Sequence, residues 1–186
     1  MSSRSESPLA SPTALFNSGN YTIRPMTCAD IPAALALLKQ IQPEARNVKS
    51  TFFTQMLHDS NRVCLLAFPT RKPAAPVAII AAALHVPTDD LSFAPAPSVD
   101  MLALGVLPSH RRKHLGAHLV SVAWRELALP AAAAGLKTPR LRAVLPEDDE
   151  SARAFWKALG LAETPEARPW RSGWRAVVNV EGIVAL

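Results

Sequence analysis

The chain has 186 residues, 49% apolar and 19% charged, a balance that excludes a disordered polypeptide and suits one domain burying roughly two thirds of its unfolded surface. A formal charge of +5 and a pI near 9.7 fit a polyanionic cofactor, an acidic peptide or a site near RNA as well as an ordinary basic protein, so charge alone selects no partner. Cys28 and Cys64 match neither metal-ligand nor redox spacing and are too few for a disulfide framework, which predicts a reducing compartment; the longest apolar run, residues 76–86, is too short to cross a bilayer.

Residues 1–20 are rich in Ser, Pro and Asn and carry Glu6 beside a single arginine, which predicts a disordered tail rather than a targeting peptide, ahead of one domain over residues 21–186. Tyr21–Pro25 alternates as a short strand, and Ala33, Leu35, Leu38 and Ile41 then recur at helical spacing. Pro32 belongs in the first turn of that helix, which selects Asp30 over Thr27 as its cap. After a polar stretch over 42–47, Thr51–Leu57 predicts a second helix that turns Phe52, Phe53, Met56 and Leu57 inward. Arg62–Phe68 and Val77–Val86 read as an antiparallel strand pair, followed by a proline-punctuated connection over 87–98.

The stretch Met101–Leu127 organises the rest. Its first part is apolar and strand-like, its middle is a basic turn, and Leu115, Leu119, Val122, Ala123 and Leu127 then repeat as a helix. Such a turn aims the free N–H groups of a helix's first residues at one point, as a pyrophosphate requires. Arg111, Arg112 and Lys113 add positive charge there, and Gly116 lets the backbone come close. RRKHLGA, Arg111 to Ala117, resembles the arginine/glutamine-x-x-glycine-x-glycine/alanine loop with which the GCN-related N-acetyltransferases, the GNAT family, hold the pyrophosphate of acetyl-CoA. His114 stands where the first glycine usually is; at φ > 0 a histidine costs about 1 kcal/mol or more.

That resemblance implies an α/β (α+β) fold: a single GNAT domain with a mixed, mostly antiparallel sheet of about six to seven strands flanked by helices. It further implies that the sheet is splayed at the cofactor strand, where the main chain of Leu104–Leu107, Leu104 and Val106 among them, meets the pantetheine arm. Acetyl-CoA would be held by Arg111, Arg112, Lys113, His114, Leu115, Gly116 and Ala117. Arg140–Leu145 predicts a further strand, and the acidic run Glu147–Glu150 opens a helix that buries Ala152, Phe155, Trp156 and Leu159 and stops at Gly160. SARAFWKALGL resembles the second GNAT signature, with Asp149 at the asparagine position, Trp156 at the tyrosine, and Gly160 and Leu161 at the terminal pair; Asp149 and Trp156 thereby join the implied cofactor site. Trp170–Val180 is expected to close the sheet as a last strand pair.

Acetyl transfer to an amine needs a held thioester, an unprotonated amine and donors for the developing oxyanion. Asp100 lies six residues before Val106, an even number that predicts the same strand face, and matches the glutamate base of histone-acetylating GNAT enzymes. The alternative is a polar residue where a loop becomes a strand. At the position of Trp156 many GNAT enzymes carry a tyrosine that protonates the leaving thiolate; indole has no proton to give, and the only tyrosine, Tyr21, is expected far from the motif.

LALGVLPSHRR resembles the strand and turn of the NatE type of N-terminal protein acetyltransferase, and Ile41-Gln42-Pro43 resembles its substrate loop, which makes Gln42, Pro43 and Val144 substrate positions. Three positions depart: Gln42 replaces an aromatic, Asp100 a strand tyrosine and Val144 the histidine base. The resemblance implies a protein or peptide N-terminus as acceptor, with lysine as a further one, a cytoplasmic location, and a NatA-type auxiliary subunit and the ribosome as partners, with no nucleic-acid or membrane motif. A polyamine-type small amine as acceptor, and a weakly active or inactive scaffold subunit, are the alternatives. If Arg46, Arg168, Arg171 and Arg175 line the acceptor groove, they repel polyamines and attract acidic peptide residues.

Overall fold

Residues 64–68 and 78–82 are uninterrupted apolar runs buried along their whole length, the pattern of strands covered on both faces. In the computed structural model, which describes residues 16–42, 48–71, 73–87, 96–164 and 177–182, they form the middle of β3 (Arg62–Pro69) and β4 (Ala78–His85), paired antiparallel as expected. Around them lie β1 (Phe16–Ser18), β2 (Tyr21–Pro25), β5 (Ser98–Val106), β6 (Arg140–Pro146), β7 (Ala162–Thr164) and β8 (Val177–Gly182). The described strands make one sheet of eight in the order β1-β2-β3-β4-β5-β6-β8-β7, antiparallel throughout except for the β5–β6 pair.

Two differences from the sequence expectation lie at the sheet edges. Phe16–Ser18, expected within the tail, pairs with Tyr21–Ile23 across a tight turn in which Gly19 takes φ +53°. At the other edge β8 pairs with β7, a strand the sequence reading did not anticipate, while residues 170–176 of the expected closing strand pair lie outside the described residues. Both edge strands are three residues long, too short to show an alternating pattern; the sheet they flank is the mixed, mostly antiparallel one expected.

Helices cover both faces. On one side α1 (Ile31–Ile41) and α2 (Ser50–His58) pack Ala34, Leu37, Leu38, Phe53 and Met56 onto Cys64, Leu66, Ile79 and Ala81. Ala33, expected inward, is exposed; the buried stripe of α1 runs one position later, through Ala34. On the other side α3 (Leu115–Ala133) buries Leu115, Leu119, Val122, Ala123 and Leu127 as the periodicity predicts, together with Trp156 of α4 (Glu150–Ala158). Gly160 ends α4 at φ +85°, where the Gly160 N–H bonds the Lys157 carbonyl and the Leu161 N–H that of Trp156.

Asp30 occupies the N-cap of α1 with Pro32 just inside, but its carboxylate does not cap the helix. It turns back to accept from the Arg24 guanidinium at 2.7 and 2.8 Å and from the Thr27 N–H and hydroxyl at 2.9 and 2.7 Å. Burial pushes the Cys64 thiol up to about 12, with a smaller push from the Asp30 carboxylate, whereas Cys28 is exposed. A thiol reagent is therefore expected to modify the native chain at Cys28 alone and Cys64 only after unfolding; peptide mapping of the labelled protein checks this.

Candidate functional site

The β5 strand has a neighbour on both sides for only half its length. Its parallel register with β6 runs from Ser98 opposite Arg140 to Met101 opposite Ala143 and stops there. Beyond that point β6 follows β8 to Pro146, while β5 follows β4 to Val106. The sheet therefore opens into a V, and on its inner side the β5 backbone over 102–106 has no strand partner in the described sheet, which leaves N–H and C=O groups there to side chains, water or a ligand. Leu102 and Val144, the first residue past the last pair on each strand, stand at the mouth, 45% and 57% exposed.

A β-bulge changes the parity of β5. Ala82 pairs with Met101 and Ala81 with Ala103, so Leu102 is an extra residue. Asp100 and Val106, expected on one face, lie on opposite faces: Asp100 sits opposite Ala83, Val106 opposite Ala78, an odd five residues apart along β4. Val106 and Leu104 pack into the α3 core. Asp100 shares the face of α1 and α2 with Ala103 and Gly105, takes a 2.9 Å hydrogen bond from the buried Ser98 hydroxyl, and lies in register with Arg142. At Gly105 a Cβ would meet Ile41 Cδ1 and Cγ2 at 2.9 Å, so the C-terminal end of α1 rests directly on β5 and delivers Gln42 beside the V. An isolated glycine in a strand pattern was the signal for this close approach.

From Val106 the chain passes through a 3-10 turn, Pro108–His110, into the basic loop and α3. At the N-terminus of α3 the His118 N–H bonds the carbonyl of the N-cap residue His114 at 3.0 Å, and helix geometry leaves the N–H groups of Leu115, Gly116 and Ala117 for an outside acceptor. Leu115's side chain is core, so only its main chain is offered. Arg112 and His114 both take left-handed conformations, φ +59° and +57°, so the condition under which a histidine at 114 is strained is met. Arg111 Nε donates to the Val106 carbonyl at 2.9 Å and Lys113 Nζ to the Ser109 carbonyl at 3.2 Å, so both cations brace the loop as well as charging it. Gly116 is helical rather than left-handed; a Cβ there would meet the Phe155 ring at 3.3 and 3.5 Å and Val106 at 3.8 Å, so its smallness serves the approach of α4.

The second signature is largely structural. Asp149 caps α4, with Oδ1 accepting from the Ala152 N–H at 2.9 Å. Trp156 is 5% exposed, packed in the α3 core with its ring at 73° to that of Phe155. Tyr21 is not remote from the loop: its hydroxyl lies 2.9 Å from His110 Nδ1, a contact between residues far apart in sequence that no local pattern announces. Gln42 is an exposed C-cap of α1, and Val144 points to the same sheet face as Arg140 and Arg142. Pro43, Arg46, Arg168, Arg171 and Arg175 lie outside the described residues. Among the described residues no helix is long and apolar enough to cross a membrane.

No protein-family model matches the chain, and no curated protein sequence does. Solved structures of acetyltransferases do. The ribosomal-protein-S18-alanine N-acetyltransferase from Escherichia coli matches with a TM-score of 0.62 at 16% identity, over 89% of this chain and 95% of its own. Arabidopsis thaliana NAA60 in complex with acetyl-CoA matches at 0.66 and 14%, over 87% and 97%. The aminoglycoside antibiotic 6'-N-acetyltransferase AAC(6')-Ih from Acinetobacter baumannii matches at 0.63 and 19%, over 83% and 99%. The chain has the fold of a single GNAT domain.

Proposed function

We propose that this GNAT-fold chain is an acetyl-CoA-dependent N-acetyltransferase acting on the α-amine of a peptide, in the manner of the NatE type. The observation that carries the reading is the V between β5 and β6, whose open backbone edge leads into a basic loop and the N-terminus of α3. An unpaired strand edge suits the amides of a pantetheine arm, and the N–H groups of Leu115, Gly116 and Ala117, with Arg111, Arg112 and Lys113 around them, suit a pyrophosphate. The chemistry a bound acetyl thioester supplies is an acyl group open to attack by an amine. Asp100, on the face that α1 delivers Gln42 to, takes the amine's proton. Trp156 gives none, so no side chain at the family's tyrosine position protonates the leaving group.

The described floor beside the V favours a peptide over a polyamine. Asp100 and Glu181 are offset there by Arg140 and Arg142, Arg140 being paired with Glu181 at 3.2 Å, and Leu102 and Val144 are open to solvent. A polycation needs an acidic enclosure. One observation favours a second reading, a weakly active scaffold working with a NatA-type auxiliary subunit near the ribosome in the cytosol: Trp156 lies in the core rather than at the cleft.

Saturating acetyl-CoA is expected to raise the melting temperature, and Gly116→Val, which drives a branched side chain into Phe155 and displaces the start of α3, is expected to abolish that rise. Labelled acetyl-CoA offered with a peptide library and a polyamine panel, with and without the auxiliary protein, reads the acceptor. No thermal shift in the unaltered chain counts against the cofactor. Polyamine products without peptide products count against the acceptor.

A further inference from the structure

A loop with two non-glycine residues in left-handed conformations keeps that shape only where its surroundings over-determine it. Arg112 and His114 are those residues, at φ +59° and +57°, and the second stands where the family's motif has a glycine. Two braces are local: Arg111 to the Val106 carbonyl, and Lys113 to the Ser109 carbonyl. The third comes from across the sheet. Tyr21, at the start of β2 and 5% exposed, reaches His110, the residue immediately before the loop, by the 2.9 Å bond to Nδ1 and an edge-on ring contact with centroids 5.7 Å apart. His110 is itself tied by its N–H to the Leu107 carbonyl at 2.9 Å, so the loop's entry is fixed both to the end of β5 and to β2.

We propose that the Tyr21–His110 pair is a positioning device for the anion loop, holding His114 left-handed and the first N–H groups of α3 aligned where a glycine would otherwise make that shape free. Resting on the acetyl-CoA reading for its purpose, it concerns residues that touch the loop and not the cofactor. The Tyr21 hydroxyl is engaged by His110 within the fold, and neither residue is assigned to the general-base or acceptor machinery. The pair acts by restraint: it lowers the number of loop conformations from which binding must select.

The test uses the full chain, Tyr21→Phe, His110→Phe, His114→Gly and the Tyr21→Phe/His114→Gly double variant. Tyr21→Phe keeps the buried ring, and His110→Phe keeps an aromatic edge while removing Nδ1. Two readouts are taken: native tryptic cleavage at Arg111, Arg112 and Lys113 without cofactor, and acetyl-CoA affinity by calorimetry. Each single aromatic variant is expected to cleave faster at the loop and to bind acetyl-CoA roughly five- to tenfold more weakly, the range for one lost hydrogen bond. On the His114→Gly background the Tyr21→Phe loss of affinity is expected to shrink to about twofold or less, because the strain it restrains is gone. Equal losses on both backgrounds, or unchanged cleavage and affinity in Tyr21→Phe, overturn the proposal. If the unaltered chain does not bind acetyl-CoA while Tyr21→Phe still accelerates loop cleavage, the cofactor reading falls and the restraint stands; binding by the unaltered chain with no effect of Tyr21→Phe leaves the cofactor reading and removes the restraint.

Discussion

Asp100→Asn is expected to lower the rate at saturating acceptor by about two orders of magnitude and to leave acetyl-CoA affinity unchanged, the signature of a lost general base. The expectation rests on where the bulge at Leu102 puts the carboxylate. Without the bulge Asp100 would share the face of Val106 and point into the α3 core; with it, Asp100 shares the face of Gly105, over which Ile41 brings the end of α1. Asparagine matches the shape and keeps an oxygen for the 2.9 Å bond from Ser98, so the strand is undisturbed and only the proton acceptor is removed. Steady-state kinetics across pH on both proteins checks it. An unchanged rate and profile would take Asp100 out of the mechanism and turn attention to His85 and His114, His110 being committed to Tyr21.

Asp30→Asn is expected to cost about 2–3 kcal/mol, or roughly 4–12 °C in melting temperature for a chain of this size, because it breaks a hydrogen-bonded ion pair from one side. The loss has two parts. Arg24, stacked 4.5 Å over the Phe68 ring, keeps its charge but loses its anionic partner and one of its two bonds to it, because the Asn amide nitrogen cannot accept, and the Thr27 N–H and hydroxyl lose an anionic acceptor. The Arg24 hydrogen bonds, then those of Thr27, hold the Asp30 carboxyl well below the usual carboxylate range, against the opposing effect of burial. The folded-state pKa is thus depressed, so the stabilisation is complete above the unfolded value near ~3.9 and drains away as pH falls from there toward the folded value. Melting curves between neutral and strongly acid pH should show a steeper acid limb for the unaltered chain than for Asp30→Asn; parallel limbs would show that Asp30 is not a source of the acid sensitivity.

The elements were legible wherever a residue's local pattern is also its burial pattern. The alternation of Tyr21–Pro25, the apolar runs of β3 and β4, and the helical repeat from Leu115 to Leu127 each predict an element that the structure contains, because covering a face demands that periodicity. The basic loop was equally plain, since a strand, a cluster of cations and a helix start are all consecutive in sequence. Asp30 was placed at its cap by Pro32, yet the partner of its carboxylate was not foreseen, because Arg24 reaches it from the preceding strand.

What only the tertiary structure decided is geometry between distant segments. The bulge at Leu102 is defined by its partner strand, so counting residues along β5 alone put Asp100 on the wrong face. The V opens because β6 stays with β8 while β5 stays with β4, a competition between neighbours that no single strand encodes. Tyr21 meets His110, and Gly116 meets Phe155, across 89 residues in the first case and between two helices in the second. Composition, periodicity and the basic loop were determined by the sequence because they are local; the faces, the cleft and the restraint on the loop were decided by the fold because they are relations between strands.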